Sequence, residues 1–224
     1  MQNKNVILIA IDGPAAAGKT TIAEQLSSKL GILYLNTGAM YRAAGLHALR
    51  LKVDPLNETQ IQKFLDTLNI DVNYINKKQR TYLNKEDVTH LLTNQKVSEY
   101  ASKISSIASV RVKMVALQQK LSKQRSLIVD GRDITTVVLP NATYKFYLDA
   151  KVQERAKRRH IEQVKKGYKY SSYQTTLSDI KQRDERDSTR KHSPLTLSKD
   201  AIYIDSTNKS INKIVNTMLN HIKV

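Results

Sequence analysis

The segment from Val6 to Leu30 constrains the fold more than any other part of the chain. Val6 to Ile11 is an unbroken aliphatic run, the composition of a strand buried on both faces of a parallel sheet. It stops at Asp12, and Gly13-Pro14-Ala15-Ala16-Ala17-Gly18-Lys19-Thr20 follows. From Lys19 to Leu30 the apolar residues Ile22, Ala23, Leu26 and Leu30 fall at helical spacing. Strand, glycine-bounded turn and helix thus arrive in the order that G-x-x-x-x-G-K-[ST] requires. Such a loop turns backbone N–H groups inward to cradle phosphate oxygens, which is why glycine stands at its two ends. Lys19 is expected to reach the β- and γ-phosphates, and the Thr20 hydroxyl to ligate Mg²⁺. The N-terminus of the helix adds positive potential. The competing reading is a chance match, which the register of strand, loop and helix makes remote.

The rest of the chain repeats the strand-helix alternation. Leu127 to Val129, Tyr144 to Leu148 and Ala201 to Ile204 read as strands. The last helix carries Ile211, Ile214, Val215, Met218 and Ile222 as a core-facing stripe. The expected fold is α/β, a P-loop three-layer arrangement with a mainly parallel sheet. Its 224 residues suit one domain, 1–224. From Asn69 to about Leu92 the pattern turns short and strand-like, with Ile70, Val72 and Tyr74, then Thr81 to Leu83, then Val88, around the turn Asn76-Lys77-Lys78. This predicts a small antiparallel insert. A helix from Val110 to Leu121 returns to the core.

Charge distribution sets the next expectation. Lys plus Arg number 37 against 20 Asp plus Glu, a net charge of +17 that calls for an anionic partner. The 25 Lys are dispersed, but nine of the 12 Arg (42, 111, 132, 155, 158, 159, 183, 186, 190) fall in a few short segments. Arg offers a rigid bidentate fork for phosphate, so clustered Arg marks a site better than dispersed Lys. With no Cys, disulfide scaffolds and thiolate metal sites are excluded, and a reducing cytoplasm is the expected compartment. No run is long enough for a membrane span, and none reads as a secretory signal. The five His show no ligand or base spacing.

Two further stretches carry chemistry. Asn36-Thr37-Gly38-Ala39-Met40-Tyr41-Arg42 opens a helix after a presumed second strand, and Leu127-Ile128-Val129-Asp130-Gly131-Arg132-Asp133 ends a strand in an acid. Asp130 sits where P-loop folds put a carboxylate beside Mg²⁺, reached through water; a loop or cap residue is the plain alternative. With Arg183-Asp184-Glu185-Arg186-Asp187-Ser188-Thr189-Arg190 and Ser193-Pro194-Leu195, these stretches resemble bacterial cytidylate kinase, a nucleoside monophosphate kinase family, over essentially the whole chain.

The resemblance implies transfer of the γ-phosphoryl group of ATP to CMP or dCMP. It implies an NMP-binding insert at 62–100 and a helical lid at 151–172. ATP would be held by Gly13, Pro14, Ala15, Ala16, Ala17, Gly18, Lys19, Thr20 and Thr21. Arg42, Arg132 and Arg190 would hold the acceptor phosphate, with Thr37 beside them, and Arg183 and Asp187 the sugar hydroxyls. On a helix, Arg183, Asp187 and Arg190 would share one face, continuing the stripe of Leu177 and Ile180. Ser102, Arg111 and Asp133 would read the cytosine edge, since a carboxylate accepts from N4 while Arg and Ser donate. Uracil would leave Asp133 facing an acceptor, a mismatch of about 1–3 kcal/mol. Lys19, Arg132 and the lid arginines Arg155, Arg158 and Arg159 would carry the catalytic charge. Glu154 and Glu162 could instead pair with Arg158 on an exposed helix.

Two positions depart from the family pattern: Ala16 and Thr135 stand where Gly is usual. A methyl at position 16 is tolerable at negative φ, and a β-branched residue at 135 would resist positive φ. The nucleophile is already a phosphate anion, so no general base is needed. The expected partners are ATP, Mg²⁺ and CMP or dCMP, with neither nucleic acid nor membrane, for a monomer. Two rivals stay open: another small-molecule kinase on this fold, and a basic RNA-associated P-loop NTPase. Against the latter, residues 145–191 interleave 14 basic with seven acidic side chains and show no aromatic-studded single-strand motif.

Overall fold

A computed structural model describes residues 6–123, 125–165, 167 and 172–223. Residues 166 and 168–171 of the expected lid lie outside the described residues. The chain divides into two compact units, Met1–Ile32 with Leu127–Val224, and Leu33–Ser126. The first opens with β1 (Leu8–Asp12) and α1 (Lys19–Leu30). The second runs through β2 (Leu33–Asn36), α2 (Thr37–Arg50), α3 (Glu58–Thr67), β3 (Ile70–Ile75), β4 (Lys78–Leu83), β5 (Glu86–Asp87), α4 (Gln95–Ile104) and α5 (Ala108–Ser122). The chain then re-enters the first unit with β6 (Leu127–Asp130), β7 (Tyr144–Asp149), α6 (Val152–Lys165), α7 (Tyr173–Thr189), β8 (Ile202–Asp205) and α8 (Ile211–His221).

In the first unit, β6, β1, β7 and β8 are neighbours in that order and all parallel. Ile9, Ala10, Ile11, Ile128, Val129, Phe146 and Leu148 are fully buried, as the aliphatic run required of a strand covered on both faces. The register pairs Ile11 with Asp130 and Asp12 with Tyr147, so the carboxyl ends of β1 and β6 are level. Open parallel sheets bind ligands beyond those ends, which is where both sequence motifs fall. Ile214, Val215 and Met218 of α8 are buried, whereas Ile211, expected in the same stripe, is exposed at the helix start. No helix of the described residues is long and apolar enough to cross a membrane.

In the second unit, β3, β4 and β5 form the antiparallel insert. Both hairpins turn on two residues of positive φ, Asn76-Lys77 (51° and 62°) and Asn84-Lys85 (49° and 73°). That pattern is the type I′ turn, whose twist suits a tight hairpin. Helix α2 is capped by the Asn36 side chain, which accepts from the Ala39 N–H at 2.9 Å. Gly45 of α2 lies against α4 so closely that a Cβ there would be 2.6 Å from the Ala101 nitrogen.

Candidate active site

The phosphate loop is shaped by close approach as much as by turning. Gly13 has φ +148°, and a Cβ on it would sit 1.9 Å from the Leu148 carbonyl oxygen of β7. At the other end Gly18 precedes α1, with no side chain capping that helix and no acid in its first turn. The positive end of α1 is therefore left for an external anion. Lys19 is buried, and its Nζ donates to the carbonyls of Gly13 and Pro14 at 2.7 Å each. Burial, then the nearby Arg132 charge, hold its ammonium well below the usual lysine range, with Asp130 and Asp12 opposing. Ala16 has φ 58°, so the condition of negative φ is not met and the loop carries an alanine in the left-handed region.

Three arginines of α6 were expected on one face, closing over a phosphoryl group; here they take three different partners. Arg155 is buried and donates to the carbonyls of Ala150 (2.8 Å) and Ala15 (3.0 Å) and to Asp184 Oδ2 (2.5 Å). The other carboxylate oxygen of Asp184 accepts from the Ala15 N–H at 3.0 Å, so Asp184 ties the phosphate loop to α6. Arg158 donates to the Ser206 carbonyl (2.7 Å) and hydroxyl (3.1 Å), and that hydroxyl reaches the Ala17 carbonyl at 3.3 Å. Arg159 pairs with Glu162 at 3.0 Å on the surface. The acidic pairing weighed for Arg158 thus belongs to Arg159.

At the end of β6, the Thr20 hydroxyl lies 3.4 Å from Asp130 Oδ2. The next two side chains enter an ionic cluster. Arg132 Nε donates to Asp187 at 2.9 Å, and Arg190 stands 3.6 Å from Asp187 and 3.8 Å from Asp133. Burial alone would raise the Asp187 carboxyl, but the guanidinium groups of Arg132, Arg183 and Arg190 together hold it below the usual carboxylate range. Burial likewise opposes the Arg132 charge, and Asp187, Asp130 and Asp184 more than offset it. Arg183 and Asp187 are on α7, but Arg190 is not: the helix ends at Thr189, and Arg190 has extended backbone (φ −61°, ψ 140°). The Leu195 N–H bonds back to the Asp187 carbonyl, fixing that exit. Thr135 adopts no positive φ, because it lies in a π-helical turn, Ile134–Val138. Its β-branched side chain is accommodated without strain.

In the second unit, Thr37 is the first residue of α2 and Arg42 lies one turn on. Ser102 is on α4 and Arg111 on α5. Ser105 joins them: its hydroxyl donates to the Ser102 carbonyl at 3.0 Å, and its own carbonyl accepts from Arg111 at 3.2 Å. The buried Arg111 guanidinium also lies 5.7 Å from the Tyr41 ring centroid.

The expected set omitted several residues that organise this chemistry. Asp184 and Ser206 bridge the phosphate loop and α6, and Gln79 of β4 accepts from the Asn36 N–H at 2.7 Å, directly before Thr37. Asp12 is fully buried and accepts from the N–H groups of Ile134 (2.9 Å) and Thr135 (2.7 Å) and from the Thr135 hydroxyl (2.7 Å). Asp184 lay within a motif whose flanking arginines drew attention, and Asp12 stands between the first strand and the phosphate loop with nothing to mark its partners; Gln79 and Ser206 are single polar residues outside any motif.

The oxygen donors suit Mg²⁺, which takes one or two protein ligands and completes its shell with phosphate and water. The Thr20 hydroxyl and the Asp130 carboxylate, 3.4 Å apart, are hard oxygen donors of the kind Mg²⁺ takes.

A parallel sheet, a phosphate loop leading into a helix and converging arginines define a P-loop phosphotransferase. A solved structure of an uncharacterized protein from Eubacterium ventriosum shares this fold, with a TM-score of 0.53 at 13% identity, covering 96% of this chain and 98% of that one. The sequence model for cytidylate kinase matches residues 9–224. A cytidylate kinase of Caldicellulosiruptor bescii is 46% identical over 95% of this chain and 94% of its own length. One of Oceanobacillus iheyensis is 44% identical over 96% and 94%. The chain belongs to the cytidylate kinase family.

Proposed function

We propose that this chain transfers the γ-phosphoryl group of ATP to CMP or dCMP, giving ADP and CDP or dCDP. The observation that carries the reading is the family match over 9–224, with the phosphate loop and the Arg132, Asp133 and Arg190 cluster borne on one unit. The loop N–H groups and the α1 terminus receive the triphosphate, and Lys19 exchanges two carbonyl acceptors for phosphate oxygens. Phosphate oxygens favour the charged form of an ammonium that burial disfavours. Arg42, Arg132 and Arg190 orient the acceptor phosphate, Arg183 and Asp187 the sugar, and Ser102, Arg111 and Asp133 the base. Arg155, Arg158 and Arg159 supply charge from the lid helix. Mg²⁺ held by Thr20, and by Asp130 through water, neutralises charge on the transferring group. We place this activity in the cytoplasm, in a monomer acting on free nucleotides.

The test is ADP release with ATP and a panel of CMP, dCMP, UMP, AMP and GMP. CMP and dCMP should be the preferred acceptors. Absence of turnover on both would overturn the assignment.

A further inference from the structure

The loop that bears Arg132 and Asp133 is anchored on both sides by the end of β1. On the near side the Gly131 N–H donates to the Ile11 carbonyl at 3.0 Å. On the far side Asp12 takes the Ile134 and Thr135 N–H groups and the Thr135 hydroxyl, at 2.9, 2.7 and 2.7 Å. Only Arg132 and Asp133 lie between the two anchors. Asp12 is fully buried and Thr135 is 1% exposed, so water does not compete for these bonds.

We propose that Asp12 and Thr135 are a positioning pair for the acceptor site, in which the Thr135 hydroxyl supplies the third donor to the Asp12 carboxylate. The proposal rests on reading Arg132 and Asp133 as acceptor-side residues. Neither Asp12 nor Thr135 needs to touch a nucleotide; they act through the two residues they hold between them. A carboxylate with three donors is a stiffer anchor than one with two, because charge-assisted hydrogen bonds are short and directional. A glycine at 135 would drop the third bond and add backbone freedom. Asp12 also precedes Gly13, so changing it disturbs both nucleotide sites, whereas changing Thr135 acts on the acceptor loop alone.

The variants that separate these effects are Thr135→Val, which keeps the shape and loses the donor, and Thr135→Ser, which keeps the donor. Steady-state kinetics should give Thr135→Val a KM for CMP raised about three- to ten-fold, less than the full worth of a hydrogen bond to a charged group because Thr135 acts only through the two residues it helps to hold, with the KM for ATP unchanged. Thr135→Ser should stay near the parent value. An unchanged KM for CMP in Thr135→Val, or an equal rise for ATP, would overturn the pair's role. Hydrogen exchange at the Ile134 and Thr135 amides reads the anchor without any acceptor: exchange should quicken in Thr135→Val and not in Thr135→Ser. Should the parent enzyme fail on CMP, the assignment of function falls, and equal exchange in the two variants would then sink the positioning pair separately.

Discussion

The two units solve the problem of a stable interior in different ways. Among the described residues, the first buries Asp12, Lys19, Asp130, Asp133, Lys145 and Arg155; of the ionisable side chains in the second, Arg111 and His47 are buried. Each buried ion must be compensated, because an unpaired one costs several kcal/mol. The first unit therefore links its charges into chains such as Arg132, Asp187, Arg190 and Asp133. The second relies on apolar packing, caps and turns: His47 is held below its usual range by burial, in contact with Phe64 and Thr67. The lesson is that the unit carrying the phosphate loop accepts electrostatic cost, while the other accepts steric precision.

Removing one member of the charged network should expose that cost most strongly. Asp187→Asn keeps the shape but leaves Arg132 without its nearest carboxylate. We expect a loss of about 3 kcal/mol in urea unfolding, at the low end for a broken buried pair because Asp130 and Asp184 still act on Arg132. The KM for CMP should rise with it. The pH dependence has a definite sign. Because the folded state holds the Asp187 carboxyl below its unfolded value, its contribution is fully present above the ordinary carboxylate range. It is lost as pH falls through the depressed folded value. The parent should therefore lose stability on acidification more steeply than Asp187→Asn, and parallel acid curves for the two would contradict the ionic role.

The second unit is tested by volume rather than charge. Gly45→Ala places a methyl 2.6 Å from the Ala101 nitrogen and 2.8 Å from the Val97 carbonyl oxygen, so α2 and α4 must separate. Overpacking costs about 1–3 kcal/mol, offset by about 1 kcal/mol of helix propensity. The net expectation is a destabilisation of up to about 2 kcal/mol with no change in its pH dependence. Since α4 carries Ser102, the KM for CMP should rise while that for ATP holds; equal effects on both would argue against the α2–α4 contact as the cause.

The contrast also explains what sequence reading could reach. Helix α1, the parallel strands and the antiparallel insert follow from periodicity and turn residues, because local pattern and burial agree there. The phosphate loop follows from its spacing. Residues that tie one loop to another do not announce themselves: Asp12 reads only as the end of an apolar run, yet it bonds residues more than a hundred positions away. Helical spacing likewise carried Arg190 onto α7, whereas the chain leaves the helix one residue earlier. Long-range polar contacts are set by topology, which a linear pattern does not contain.

The smallest effect concerns Ala16, where the two logics meet. Its φ of 58° places an alanine in the left-handed region, at a cost of about 1–2 kcal/mol. Glycine would remove that strain but lose about 0.4–1 kcal/mol through a freer unfolded chain. Ala16→Gly should therefore stabilise the protein slightly, by about 0.5–1 kcal/mol, visible as a rise of roughly 1–4 °C in Tm. The sign distinguishes two accounts of the loop. A rise means that Ala16 is strained and that the surrounding bonds, among them Asp184 to the Ala15 N–H, hold it there. A fall of similar size would mean that the backbone at position 16 is relaxed and that alanine serves to stiffen the loop. Measuring ATP affinity alongside sharpens the result, since a loop pre-set by its restraints should bind ATP equally well in both forms, whereas one stiffened by alanine should bind it less tightly once glycine is introduced.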